Sequence, residues 1–261
     1  MVSAHHVQVS AEDTIAEIIQ RSGRRSGGVP IRRTFVQGGS QQAPVPGPLA
    51  SFVKAHDERG LDLYLLVLAL ASHEPWRAEL ASRVWGRALG LGEGKSAMTT
   101  ISRTFRRLEE HDLIDRSRSG RRLSVALLRE DGSREAYEAP NKPDRWFRLS
   151  FAYWDRQLRW YEKLSLPAKA MLLVAESLKS PFYLPYEKSK EWYGISADTT
   201  AKGLTELKRC GLLTTRIERK TAPLAPAGFT TTTYYTLDRK LGAKENEDRV
   251  ARRRIGTRGA S

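Results

Sequence analysis

A pattern of apolar residues that occurs twice is the strongest constraint on how this chain folds. Leu65-Leu66-Val67-Leu68-Ala69 is matched by Met171-Leu172-Leu173-Val174-Ala175, and Pro75-Trp76 by Pro181-Phe182. Trp85-Gly86 is echoed by Trp192-Tyr193-Gly194, and Leu108, Leu113 and Ile114 by Leu207, Leu212 and Leu213. Equivalent residues lie 106 or 107 positions apart at first and 99 apart later, because Ala88–Lys95 has no counterpart in the second copy. An insertion that falls between two periodic segments marks a loop, so the repeat describes a structural unit. With 261 residues the chain has room for two domains of ordinary size, one per copy.

In the first copy the most informative stretch runs from Ser96 to Arg122. Met98, Ile101, Phe105 and Leu108 recur at three- and four-residue spacing and predict one buried helical face. Ser96 stands where an N-cap is expected. The other faces carry Thr99, Thr100, Ser102, Arg103, Arg106 and Arg107. His111-Asp112-Leu113-Ile114 reads as a turn into an extended segment, which passes Arg116 and Arg118, reverses at Ser119-Gly120 and returns through Arg121 and Arg122. The second copy repeats the helix, with Ser196 as N-cap, Leu204 and Leu207 inward, and Thr199, Thr200 and Lys202 outward. Arg216, Arg219 and Lys220 then lead to a tip broken by Pro and Gly, Thr221–Gly228. The β-forming run Thr230–Thr236 is expected to return as the last strand.

A helix with an apolar stripe and a hydroxyl-and-arginine face, followed by a basic hairpin, suits a DNA major groove and its flanking phosphates. Over roughly residues 49–241 the two copies resemble tandem winged helix-turn-helix DNA-binding domains. In architecture the pair is similar to two-domain plasmid replication initiators and to single-chain regulators of mobile elements. The resemblance implies a mostly α chain with small antiparallel β hairpins, that is, an α+β fold of two tandem winged-helix domains. It implies sequence-specific binding of double-stranded DNA, with a transcriptional regulator as the first reading and a plasmid or mobile-element replication initiator as the alternative. A protein–protein adaptor built from winged helices is the rival from another class. The expected DNA-binding residues of the first copy are Lys95, Ser96, Thr99, Thr100, Arg103, Arg106, Arg107, Arg116, Arg118, Arg121 and Arg122. Those of the second are Ser196, Thr199, Thr200, Lys202, Arg216, Arg219 and Lys220. Arg103 is the expected bidentate guanine contact.

Domain boundaries are expected to follow the repeat. Residues 1–48 read as a flexible basic N-terminal arm with one short helix, capped by Ser10 and Asp13 and carrying Ile15, Ile18 and Ile19. Residues 49–140 are the first winged-helix domain, opened by a helix at Leu49, Phe52 and Val53 that packs against it. Leu61–Ser72 is apolar almost all round, as a central helix is, and Ala78–Ala88 is its second helix, with Glu79, Arg83 and Arg87 facing out. Asp131-Gly132, between Leu123–Arg129 and Glu135–Ala139, predicts a further hairpin and a third strand. Residues 141–163 form an aromatic-rich connector with a helix through Phe151, Trp154, Leu158, Trp160 and Tyr161. Residues 164–241 are the second winged-helix domain, and 242–261 a disordered basic tail.

Charge and cysteine usage narrow the partners. A formal net charge of +14 and a pI near 10.1 point to a polyanion. Residues 61–141 hold 13 basic and 12 acidic side chains, whereas 142–240 hold 18 and 10. The first copy is therefore expected to supply more base readout and the second more backbone affinity. Cys210 is the single cysteine, which leaves no disulfide framework and no thiolate zinc site. The longest apolar run, Leu63–Ala71, is about half of the roughly 20 residues a membrane span needs. The first residues also lack the regions of a secretory signal. A cytoplasmic, nucleoid-associated protein without a membrane partner is expected. Gly90–Ser96 ends in the Gly-Lys-Ser of a phosphate-binding loop, but Leu89 stands where that loop needs its first glycine. No nucleotide or other cofactor is expected. His5, His6, His56, His73 and His111 lack metal-ligand spacing. No nucleophile and base can be paired, so neither metal, catalytic residue nor enzyme activity is expected. Double-stranded DNA is the expected partner, with a homodimer left open.

Overall fold

The computed structural model describes residues 9–24, 27–40, 42–92, 94–119, 122–142 and 144–242, and of Ser119 the backbone alone. In chain order come α1 (Ala11–Arg21), β1 (Gly28–Arg32), a 3-10 turn at Arg33–Phe35, β2 (Gln37–Gly39), β3 (Pro44–Pro46) and α2 (Leu49–Lys54). Next are α3 (Glu58–Leu70), β4 (Arg77–Leu80), α4 (Ser82–Ala88), α5 (Lys95–Glu110), β5 (Ile114–Ser119) and β6 (Arg122–Leu127). After β7 (Trp146–Ser150) and a 3-10 turn at Phe151–Trp154 follow α6 (Trp160–Lys163), α7 (Leu166–Ser177) and β8 (Phe182–Tyr183). A 3-10 turn at Tyr186–Lys188, α8 (Ser189–Tyr193), α9 (Ala197–Arg209), β9 (Leu213–Thr221) and β10 (Phe229–Leu237) complete it. The fold is mixed α+β with small antiparallel sheets. Among the described residues no helix is long and apolar enough to cross a membrane.

The chain divides into two compact units, and each is interleaved in sequence. The first comprises Met1–Gly27 and Glu58–Glu138. Its centre is α3, buried at every position from Leu63 to Ala69. Helix α1 packs on α3 and α4 through the buried Ile15 and Ile18. Ser10 caps it, accepting from the Asp13 amide at 3.0 Å and donating to the Asp13 carboxylate at 2.9 Å. So short a helix is marginal in water, and it persists here because tertiary contacts hold it. Among them, Arg87 Nε donates to Thr14 Oγ1 at 2.9 Å, and Arg24 Nη2 donates to the Leu68 carbonyl at 3.2 Å. Arg87 is therefore a tether to α1 rather than an outward group.

Two expectations for this unit are corrected. The run from Ala78 does not start a helix: Arg77–Leu80 is β4, paired with β6, and α4 begins only at Ser82. Ala78 is buried while Glu79 is exposed, the alternation of a half-buried strand, and four residues of it are too few for periodicity to reveal. The third strand of the sheet is this β4, not Glu135–Ala139. Asp131-Gly132 does turn the chain, with Gly132 at φ 76°, yet only Leu128 and Ala136 bridge across it.

The second unit comprises Gly28–Asp57 and Ala139–Ser261. Strand β1 pairs along its length with β7, and the buried Arg32 holds Asp144 at 2.9 Å. Helix α2 packs on α7. The described residues of 28–57 thus belong to the second unit, where a flexible arm and the opening helix of the first domain were expected. The aromatic stretch belongs to the same unit and is not one helix. The Asp155 carboxylate accepts from the Gln157 and Leu158 amides at 2.9 Å each, which turns the chain, and a left-handed Arg159 (φ 50°) leads into α6. Helix α7 starts at the Ser165 N-cap and is buried from Ala168 to Glu176. Gly203 lets α9 close on it, since a Cβ there would lie 2.4 Å from the Pro167 carbonyl oxygen. Glu176 is 2% exposed; burial pushes its carboxyl up to about 7, with Arg239 at 3.1 Å pulling it back.

Both units contain the same order of elements: helix, strand, helix, helix, strand, strand. In each sheet the last strand lies in the middle, as β4-β6-β5 and β8-β10-β9. The matched residues fall in matching places. Leu65 and Met171 lie in the central helices, Trp85 and Trp192 in the next, and Leu108 and Leu207 on the inner face of the third. Pro75 and Pro181 each follow a cis bond ahead of the first strand.

Candidate nucleic-acid interface

Helix α5 presents the clearest cationic face of the first unit. Ile101, Phe105 and Leu108 are buried, with the Phe105 ring edge-on to Trp85 at 5.8 Å. That packing fixes the rotation of the helix and sends Lys95, Ser96, Thr99, Ser102, Arg103 and Arg106 to the exposed side. Arg103 and Arg106 have no ion pair or hydrogen bond among the described residues. The N-cap is Gly94, not Ser96, which lies inside the first turn as an exposed hydroxyl. The hydroxyls of Thr99 and Thr100 donate to the Lys95 and Ser96 carbonyls at 3.1 and 2.9 Å, leaving their lone pairs to accept.

Not every arginine of the expected set faces outward. Arg107 is half-buried and reaches Thr104 Oγ1 at 3.4 Å. Arg116 bends back from β5 to pair with Glu109 and to donate to the Ser102 carbonyl at 3.3 Å. It fastens the hairpin to α5 instead of reaching away from it, a role its place in a basic run concealed. Between helix and hairpin lies a cavity of about 370 Å³ lined by Ile101, Phe105, Glu109, Arg116 and Arg118. Arg118 and Arg122 are exposed on the hairpin, and Arg121 lies outside the described residues. Sequence reading missed Arg77, an exposed strand residue whose Nη1 reaches Ser117 Oγ at 3.5 Å, because β4 itself was missed.

In the second unit the helix and the hairpin exchange emphasis. Ser196 is the N-cap of α9, accepting from the Thr199 amide at 3.1 Å and donating to Thr199 Oγ1 at 2.8 Å. Thr200, expected outward, is fully buried and its hydroxyl finds no partner. The reason is register: Thr200, Gly203, Leu204 and Leu207 form one stripe at three- and four-residue spacing, and the threonine closes it. Lys202 is exposed but holds Asp198 at 2.8 Å.

The hairpin, by contrast, is long. Nine-residue β9 and β10 pair throughout, and beyond Leu213, Tyr235 and Leu237 the ribbon has exposed or half-exposed side chains on both faces. Arg219 lies over the Phe229 ring at 5.1 Å and Arg216 over Tyr234 at 5.7 Å. Lys220 is exposed beside them, as are Ile217 at 63% and the tip residue Leu224.

Among the described residues there is no group of His, Cys, Asp and Glu able to hold a metal ion. No family model matches the chain, and comparisons with curated proteins and with solved structures find no match either.

Proposed function

We propose that the chain is a sequence-specific double-stranded DNA-binding protein made of two winged helices, and that it acts as a transcriptional regulator. In this reading α5 and α9 are the recognition helices, and the β5–β6 and β9–β10 hairpins are the wings. The observation that carries it is the shared element order with the last strand central in both sheets, joined to the unpaired Arg103 and Arg106 on the outer face of α5. A helix rotated by a buried Trp85–Phe105 contact offers donors to base edges, and a basic hairpin beside it meets phosphate. Lys95 at the N-terminus of α5 adds a cation where helix dipoles favour an anion.

The test is selection of bound duplexes from a random pool, followed by footprinting. A preferred site is expected, with Arg103→Ala weakening it by about 1–3 kcal/mol while changing nonspecific binding little. Equal weakening on every sequence would remove Arg103 from base readout. If the full chain binds no duplex at low salt, the reading fails, and the adaptor alternative takes its place. Strand opening at the selected site would move the assignment from regulator to replication initiator.

A further inference from the structure

Two adjoining cavities within the second unit, of about 910 and 400 Å³, share Arg33, Asp144, Arg145 and Leu178 and so form one groove. Rings line it: Trp146 (42% exposed) in the smaller cavity, and Tyr183 (51% exposed) with the half-buried Trp192 in the larger. Arg145 and Lys179 are exposed and have no ion pair among the described residues. Arg33 is half-buried; its Nη2 donates to Gln37 Oε1 at 2.5 Å, while its Nε is buried without a partner. Gln37 in turn donates to the Trp192 carbonyl at 3.2 Å, which ties the β2 segment to α8. The acid of the groove, Asp144, is already engaged by Arg32.

The lining is cationic and concave, and its rings are part-exposed: Arg148 lies over Trp146 at 5.5 Å and Tyr234 tilts against Tyr183 at 6.3 Å, while 42% of Trp146 and 51% of Tyr183 stay exposed. A duplex presents its phosphates on a convex surface with its bases stacked inside, so the rings of such a groove have nothing to meet. An unpaired strand offers both parts: bases that stack on aromatic faces and phosphates that lie on arginine and lysine between them. We propose that this groove binds a short run of single-stranded nucleic acid, with bases on Trp146 and Tyr183 and phosphates on Arg33, Arg145 and Lys179. An acidic peptide would satisfy the cations but leave the rings without a partner. The groove uses no residue of α5 or α9 and does not rest on the duplex reading.

The experiment measures binding of the full chain to a fluorescein-labelled oligothymidylate of about 12 nucleotides, within the range one such site covers. Trp146→Ala and Tyr183→Ala are each expected to weaken binding about fivefold or more, and Trp146→Phe to retain most of it. Arg145→Ala with Lys179→Ala is expected to reduce the salt slope by about one to one and a half. Duplex affinity stays unchanged in the Trp146 variants and in the Arg145/Lys179 variant, and melting curves check that each variant is folded. Undiminished oligonucleotide binding by folded Trp146→Ala and Tyr183→Ala proteins would overturn the proposal. So would loss of that binding on Arg103→Ala alone, which places the strand on α5. Displacement by polyglutamate of matched charge as readily as by unlabelled oligothymidylate would reassign the groove to acidic peptides.

Discussion

The two units share one plan and spend their charge differently. In the first, α5 exposes Lys95, Arg103 and Arg106, while the six-residue hairpin strands expose Arg118 and Arg122 and fold Arg116 back onto Glu109. In the second, α9 buries Thr200 and pairs Lys202 with Asp198, while the nine-residue hairpin carries Arg219 and Lys220 into solvent, with Arg216 exposed beside its partner Glu218 at 2.6 Å. Helix side chains in a groove read base edges, whereas a basic ribbon neutralises phosphate regardless of sequence. The contrast teaches that one framework can place its exposed cations differently without altering its topology; under the proposed duplex reading this divides base readout from backbone affinity. It also refines the charge difference of the sequence, which lies in where the cations stand as much as in how many there are.

The largest expected effect concerns the interleaved chain. Val29, Ile31, Phe35, Val36, Leu49 and Phe52 are each at most 1% exposed and come from the segment 28–57. At about 1.5–3 kcal/mol per buried side chain, they contribute on the order of 10 kcal/mol, comparable to the whole stability of a domain. A fragment starting at residue 139 is therefore expected to remain unfolded by circular dichroism, and cooperative melting of that fragment would contradict the division into units. Next comes the ribbon. Replacing Arg216, Arg219 and Lys220 together by Ala is expected to lower the duplex salt slope by about 2–3. Arg118→Ala in the shorter hairpin changes it by about 1 at most. A larger effect from the first hairpin would reverse the comparison.

Glu176 supplies a pH test confined to the second unit. Its folded carboxyl titrates near 7 against 4.5 when unfolded, so the folded state holds the proton more tightly. Its favourable contribution is complete below about pH 4.5 and is lost as the pH rises through about 7. Glu176→Gln is expected to flatten that part of the stability profile and to stabilise the unit above pH 7 by about 1–3 kcal/mol. An unchanged profile would mean that Arg239 already compensates the buried charge. The smallest effect is expected at Thr200→Val, which removes a buried hydroxyl without a partner: about 1 kcal/mol of stabilisation and no change in DNA affinity. Weaker binding by this variant would return Thr200 to the interface.

From the sequence alone came the features that depend on neighbours a few positions away. The repeat, the buried faces of α5 and α9, the caps at Ser10 and Ser196, and the returning strand at Thr230–Thr236 are all periodic or local signals. What depends on partners far along the chain was hidden. Strand β4 is too short to announce itself, and β1 is defined only by β7, more than a hundred residues away. The pairing of Arg116 with Glu109, and the groove assembled from Arg33, Arg145, Trp146, Lys179 and Tyr183, depend in the same way on chain folding. Periodicity records which side of an element is dry; only tertiary packing decides which distant side chain stands opposite, and hence which arginines are left facing water.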